Sequence, residues 1–373
     1  MKFSIKKETL LHSLNSVSKA LSSKNIIPIL SGIKFNLTDN GLFLSASDND
    51  ISIESFIDKE KLESIESTGV TVIQGKYILE IIRKLDGNIV NIELFDNIKV
   101  LISCGKSEFN LNCMDASEFP NLNLEEKKKP IILKKEEFKN LINKTFFAVS
   151  TQETRPILTG INFKIAKDKL ECIATDSYRL AKKFTILSEE SEEDVNIVIL
   201  GKNLIELTRI LDETDNNIEM HIFGNKVLFK FDDTLFQTRV LSGTFPDVNR
   251  LIPSTFELEI TANCTDLYNV IDRAALLTSE KDKNIIKFEC IDNEVIISSN
   301  SPEIGRVEER LEINKNNENN IKIAFSSKFM MDAIKTVEST NVVLKFNDEM
   351  KPIIVADESD DTILQLIVPI ITY

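Results

Sequence analysis

Gly75-Lys-Tyr-Ile-Leu-Glu-Ile-Ile-Arg-Lys-Leu85 decides the reading, because the chain writes it again. It recurs as Gly201-Lys-Asn-Leu-Ile-Glu-Leu-Thr-Arg-Ile-Leu211 and, altered, as Ser327-Lys-Phe-Met-Met-Asp-Ala-Ile-Lys-Thr-Val337. Lys76, Lys202 and Lys328 are each 126 residues apart, and so are Arg83, Arg209 and Lys335. Glu80, Glu206 and Asp332 keep the same interval. A fixed period is the mark of one structural unit used repeatedly.

Other landmarks share the period. Pro28-Ile-Leu-Ser-Gly-Ile-Lys-Phe35 returns as Pro156-Ile-Leu-Thr-Gly-Ile-Asn-Phe163, and Phe119-Pro120 as Phe245-Pro246. An amphipathic helical pattern opens each third, over 7–21, 135–149 and 265–278. The third copy is the most altered, with Ile285-Ile-Lys-Phe288 for its first strand after the helix. Alternating strands fill the rest. Ile33–Leu37 and Leu42–Ala46 flank the hairpin signal Asp39-Asn40-Gly41, and Val227–Phe231 turns at Asp232-Asp233 into 235–240. Two helices and several short antiparallel strands per repeat predict an α+β domain. The 373 residues divide into three, at 1–127, 128–253 and 254–373. Polar seams at 124–130 and 249–255 separate the copies, while 188–194 and 314–320 read as solvated loops.

The charge is unevenly placed. At 100° per residue, Lys76 and Arg83 share one face of their helix, opposite Tyr77, Ile78, Ile81, Ile82 and Leu85. The other two copies repeat the pair, with the cations ~10.5 Å apart along the axis. The formal net charge is −14, which alone argues against a duplex-binding protein. The six helical stretches (6–24, 75–85, 134–144, 201–211, 263–283 and 326–337) together carry +8, leaving −22 for the remainder. Exposed lysines pairing with Glu80, Glu206 and Asp332 four residues on would explain one such helix. Three copies of the same cation pair favour a basic binding face, loosened by those acids and sensitive to salt.

Several classes of function are set aside. No apolar run is long enough to span a membrane, and Met1–Leu11 lacks the apolar core of a secretory signal. Five cysteines with no CxxC spacing fit reduced thiols in a cytoplasm, not a disulfide framework or zinc site. Two histidines make a His-based triad or multi-His metal site hard to build, so no metal or cofactor is expected. Gly69 to Tyr77 has the wrong spacing for a phosphate loop, and its Gly-Lys belongs to the repeat. Asp48, Asp50 and Asp176 suit strand-end turns better than a two-metal nuclease. A repeat scaffold that binds only protein would explain the period but not the partitioned charge.

The opening MKFSIKKETLLHSLNSVSKAL, the PILSG element, TRPILTGINF, ATDSYRLA (Ala174–Ala181), SGTFPDVNRLIP and the final LQLIVPIITY resemble the bacterial sliding clamps, the beta subunits of DNA polymerase III. The resemblance covers essentially the whole chain. It implies three tandem DNA-clamp folds, antiparallel sheets outside and helices inside, in a head-to-tail homodimer closed as a ring around double-stranded DNA. A 125-residue domain is roughly 36 Å across, so six in a hexagon leave a hole of about 36 Å, whereas four leave only ~15 Å. Three domains per chain thus suit a dimer.

The resemblance also implies roles for particular residues. Lys24, Lys76, Arg83, Gln152, Lys202, Arg209, Lys328 and Lys335 face DNA without regard to its sequence. A cleft between the second and third domains takes short peptides from the polymerase III catalytic subunit, the clamp loader and other proteins with a clamp-binding motif. Leu158, Thr175, Ser177, Tyr178, Arg179 and Leu180 line one side. Pro246, Arg250 and Leu251 line another, and the tail adds Leu366, Ile367, Val368, Pro369 and Ile370. Ile371 and Lys24 stand where the family often has Arg. Phe109 and Leu111 of one protomer meet Leu276 and Leu277 of the next. The expected function is that of a non-catalytic processivity factor in DNA replication, without a membrane association.

Overall fold

Among the described residues, each of the six α-helices begins at the residue after a strand ends. Strands Lys2–Lys6, Gly69–Gln74, Ile131–Lys134, Val195–Leu200, Leu258–Asn263 and Ile321–Ser326 run directly into α1 (Lys7–Val17), α2 (Gly75–Lys84), α3 (Lys135–Phe146), α4 (Gly201–Ile210), α5 (Cys264–Ala275) and α6 (Ser327–Ile334). The hydrophobic period changes there from 2 to 3.6 with no loop between. Each repeat thus holds two strand–helix units. This computed structural model describes residues 1–21, 27–48, 50–96, 98–214, 216–279 and 284–371.

The side chain that opens the first helix of each repeat anchors the end of the second. Lys7 donates to the Leu85 carbonyl oxygen just past α2. Lys135, fully buried, donates to Asp212 past α4 at 2.8 Å and also to Asp232. In the third repeat the position is Cys264, whose thiol donates to the Ser339 carbonyl oxygen at 3.3 Å. A cation suits the negative end of a helix dipole, which accounts for the two lysines. Hydrogen bonds from Lys135 and Thr214 outweigh the burial that opposes ionisation and hold the Asp212 pKa at about 2.

The chain forms two compact units, residues 1–138 with 202–240 and residues 139–201 with 241–373. Neither is a single repeat, because the sheets run on from one repeat into the next. In the first unit, a thirteen-stranded sheet joins the first repeat to part of the second along Ile51–Asp58 and Thr234–Arg239, with Ile51 opposite Thr238. In the second unit, a nine-stranded sheet joins Arg179–Ile186 to Ile363–Ile367, with Arg179 opposite Ile367, and a four-stranded sheet completes the third repeat. All the pairings are antiparallel. Such joints give strands that would otherwise be exposed edges a partner.

Local expectations fare unevenly. The hairpin at Asp39-Asn40-Gly41 forms between Gly32–Thr38 and Gly41–Ser47. Gly41 has φ +142°, and a Cβ there would lie 2.2 Å from the Ile57 carbonyl oxygen, so glycine is required. The second hairpin turns at Asp232-Asp233. Residues 314–320 are more ordered than a solvated loop. Asn314 and Lys315 pair with the strand Leu258–Asn263, and the side chains of Asn316, Asn317 and Asn319 bond the backbone of Glu257 or Glu259.

Candidate functional site

On the second helix of each repeat, packing turns the cation pair outward. Ile78 and Ile82 are buried on α2, while Lys76 and Arg83 are exposed. Gly75 starts this helix tight against Leu21, where a Cβ would come within 2.2 Å of Leu21 Cδ1, so its glycine serves packing rather than phosphate binding. Leu204 and Leu207 hold α4 with Lys202 and Arg209 outward, and Met330, Ala333 and Ile334 hold α6 with Lys328 and Lys335 outward. Lys335 lies one residue past α6, still in helical conformation, with its ammonium 5.3 Å from the Tyr268 ring centre. Tyr77, counted with the core on the helical wheel, is 51% exposed. It follows Lys76 directly and sits at the margin of the apolar stripe.

Among the described residues, no ion pair joins Lys76 to Glu80 or Lys202 to Glu206. Glu80 and Glu206 instead bond Arg83 and Arg209, three residues on. Lys202 meets Asp50 at 3.1 Å, and Lys19 meets Glu206 at 3.5 Å. In the third copy Asp332 meets Arg179, 2.7 Å distant. The helical charge of +8 also overstates the open basic face. It counts the fully buried Lys135 and the buried Lys144, which donates to the Thr336 carbonyl oxygen and lies 2.7 Å from Glu338. Gln152 is exposed in the loop after α3. Lys24 lies outside the described residues.

Two of the expected cleft residues, Leu180 and Leu366, lie in one apolar cluster of the second unit. Ile173, Leu180, Val248, Ile354 and Leu366 are buried in one cluster, with Phe245, Ile252, Phe256 and Leu364 packed on it. Of these, sequence reading named only Leu180 and Leu366. Val248 was within reach, two residues past Pro246 in the quoted motif. Ile354 comes from the third repeat and is brought in only by the joined sheet. Leu158 is buried, while Tyr178 at 59% and Leu251 at 55% exposure, like Pro246, Arg250 and Val368, are open to solvent. Ile367 belongs chiefly to the core of the third repeat.

A tight turn carries Tyr178. Asp176 Oδ1 accepts from the backbone N–H groups of Tyr178 and Arg179, at 2.9 and 3.0 Å, and Ser177 takes φ +78°. The Thr175 hydroxyl donates to the Arg179 carbonyl oxygen at 2.6 Å. Arg179 then bonds both Asp176 and Asp332, with its guanidinium 4.4 Å from the Phe329 ring centre. Here the arginine fixes the turn to α6. The tail closes the patch: the Val368 N–H donates to the Tyr178 carbonyl oxygen, and the Ile370 N–H donates to that of Ala324. Asp48 makes the matching turn in the first repeat, accepting from the N–H groups of Asp50 and Ile51.

Two of the strands with an unpaired edge among the described residues lie in the repeats that hold the expected interface residues. Ser107–Met114 pairs with Lys99–Cys104, but on its other side meets Gly69–Gln74 only through Cys113 and Met114. Phe109 is exposed and Leu111 half-buried on that edge. Gly305–Glu312 pairs only with Glu294–Ser301. Leu276, 75% exposed, and the half-buried Leu277 follow α5 in the same repeat.

Among the described residues, Glu126, Glu219 and His221 alone bring three metal-ligating groups within 4.8 Å. The Lys230 ammonium, 2.8 Å from Glu126, already balances part of that charge. All five cysteines are free thiols.

Comparison with known proteins agrees along the whole chain. Residues 1–123, 132–247 and 249–371 match the family models for the N-terminal, central and C-terminal domains of the DNA polymerase III beta subunit. The beta sliding clamp of Bacillus subtilis is 43% identical and that of Staphylococcus aureus 40%, each alignment covering 100% of both chains. The crystal structure of the B. subtilis DNA polymerase sliding clamp superposes with a TM-score of 0.95 at 42% identity, covering 100% of both chains. The beta subunit from Streptococcus pyogenes DNA polymerase also gives 0.95, at 31% identity and full coverage. With three clamp domains in sequence and full-length relatives above 40% identity, the chain belongs to the DNA polymerase III beta subunit family, the bacterial sliding clamps.

Proposed function

We propose that two copies of this chain close head to tail into a ring that encircles duplex DNA and slides along it. The clamp domains run 1–127, 128–253 and 254–373. The open edges at Ser107–Asn112 and Gly305–Glu312 meet between protomers, with Phe109 and Leu111 against Leu276 and Leu277. Two different patches join, and their repetition closes the ring. The ring is non-catalytic and acts in the cytoplasm as a processivity factor. The apolar patch around Leu180 and Leu366 captures short peptides of the polymerase III catalytic subunit, the clamp loader and other replication or repair proteins. Buried apolar walls supply affinity there, and the polar rim sets direction.

The observation that carries this reading is the outward cation pair on α2, α4 and α6, in a chain that is otherwise acidic. Neighbouring carboxylates keep the attraction weak, which suits a protein that must move along its substrate. Reversing Lys76, Arg83, Lys202 and Arg209 to Glu is expected to shorten retention on circular DNA about tenfold or more at moderate salt. The dimer should remain intact in sedimentation. Dissociation to monomers would place these residues at the protomer interface instead.

A further inference from the structure

The internal repeat lets the chain serve as its own comparison. Burial fixes the register of the first helices. Leu10, Leu14, Val17 and Ala20 are buried, and 128 residues later so are Phe138, Ile142, Thr145 and Ala148. In that register Ser13 and Ser16 of α1 stand where α3 carries Leu141 and Lys144. The Lys144 ammonium caps the C-terminal end of α6, at the Thr336 carbonyl oxygen and Glu338. The period of 126 residues matches Thr336 and Glu338 with Ile210 and Asp212 at the end of α4. Lys135 already bonds Asp212 at that end, but position 16 sends no lysine to it.

A cavity of about 420 Å³ opens there instead, lined by Ser13, Ser16, Ile210 and Asp212 among others. Ser13 and Ser16, which line it, are shorter than the leucine and lysine of the second repeat. Its floor is partly apolar, from Ile57 and Phe231. Its charge is negative: among the described residues, Glu8, Asp212, Asp232 and Asp233 face Lys61 and the buried Lys135. The excess is two negative charges, and the end of α4 adds the partial negative charge of a helix C-terminus. Among the described residues, Asp212 takes its hydrogen bonds on Oδ1 alone, which leaves Oδ2 for a further donor.

We propose that this cavity binds a linear aliphatic diamine. One ammonium takes the place that Lys144 fills in the next repeat, between Asp212 and the end of α4. The methylene chain lies along Ile57 and Phe231, and the second ammonium faces Glu8. The ligand is the untethered counterpart of a lysine side chain that the second repeat carries covalently.

The test is thermal unfolding of the full-length protein with increasing 1,5-diaminopentane, ionic strength being held constant with sodium chloride. The midpoint is expected to rise and saturate, by about 2–4 °C. S16K supplies the ammonium from the chain itself, so it should raise the midpoint without amine and abolish the response to it. S13L restores the leucine of the second repeat, fills the apolar part of the cavity and should also abolish the response, which keeps the test valid if S16K does not fold. An unsaturable or absent response in the wild type would overturn the proposal, as would a full response in both variants.

Discussion

Deletion of residues 368–373 is expected to abolish binding of the polymerase catalytic subunit, a loss of at least 100-fold, while leaving the protein dimeric. The last strand, Ile363–Ile367, stays paired with Arg179–Ile186 and with Ile353–Asp357 in the shortened chain. Ile367 remains in the core of the third repeat and Leu366 in the apolar patch. The loss is confined to the segment beyond the strand. Val368 donates its N–H to the Tyr178 carbonyl oxygen, and Ile370 bonds across to Ala324. A peptide anchored by apolar side chains needs a wall that excludes water around them. Without that wall the patch is a flat apolar surface, and a 100-fold loss corresponds to about 2.7 kcal/mol. Surface plasmon resonance with immobilised polymerase subunit measures the change, and unchanged affinity would contradict the cleft assignment.

Lys135→Met is expected to destabilise the protein by about 2–3 kcal/mol at neutral pH, visible as a fall of roughly 5–10 °C in the unfolding midpoint. The side chain is 0% exposed, so its ammonium depends on Asp212 and Asp232. Methionine fills a similar volume but leaves the two carboxylates facing each other without a cation. Removal of one partner from a fully buried pair costs about 3–5 kcal/mol. The smaller figure applies because the carboxylates are 45% and 41% exposed and water screens them. The effect depends on pH in a defined direction. The folded pKa of Asp212, about 2, lies below the unfolded value of about 3.9. Its contribution is therefore complete above the unfolded value and is lost as pH falls from about 4 towards 2. The gap between wild type and variant should narrow over that interval, and a gap independent of pH would refute this role for Lys135.

What could be read from the sequence was whatever the repeat wrote in full. The Gly-Lys helices, the hairpins at Asn40-Gly41 and Asp232-Asp233 and the cation pairs are local patterns, and each survives folding. The less legible features depend on residues far apart in the chain. Lys135 reads as one more cation on an amphipathic helix, because Asp212 and Asp232 lie 77 and 97 residues away. Asp332 reads as a partner for its own helix, yet Arg179, 153 residues earlier, bonds it. The apolar patch draws Val248 and Ile354 from segments that meet only because one sheet continues from the second repeat into the third. Ser16 carries no signal of its own and acquires meaning only beside Lys144.

Net charge needs the same correction. An acidic chain can still hold DNA if its cations are gathered on one wall. Some of the lysines that make the helices basic are spent inside the protein, as Lys135 and Lys144 are, so the exposed helical faces are less positive than composition implies. In the proposed ring, retention does not rest on affinity alone, and topology supplies the rest. The direct measurement is to load the protein with a clamp loader onto nicked circular DNA, wash at high salt, and then cut the circle once. Encirclement predicts that the protein stays on the closed circle and is released on linearisation. Equal retention on circle and linear DNA would contradict it.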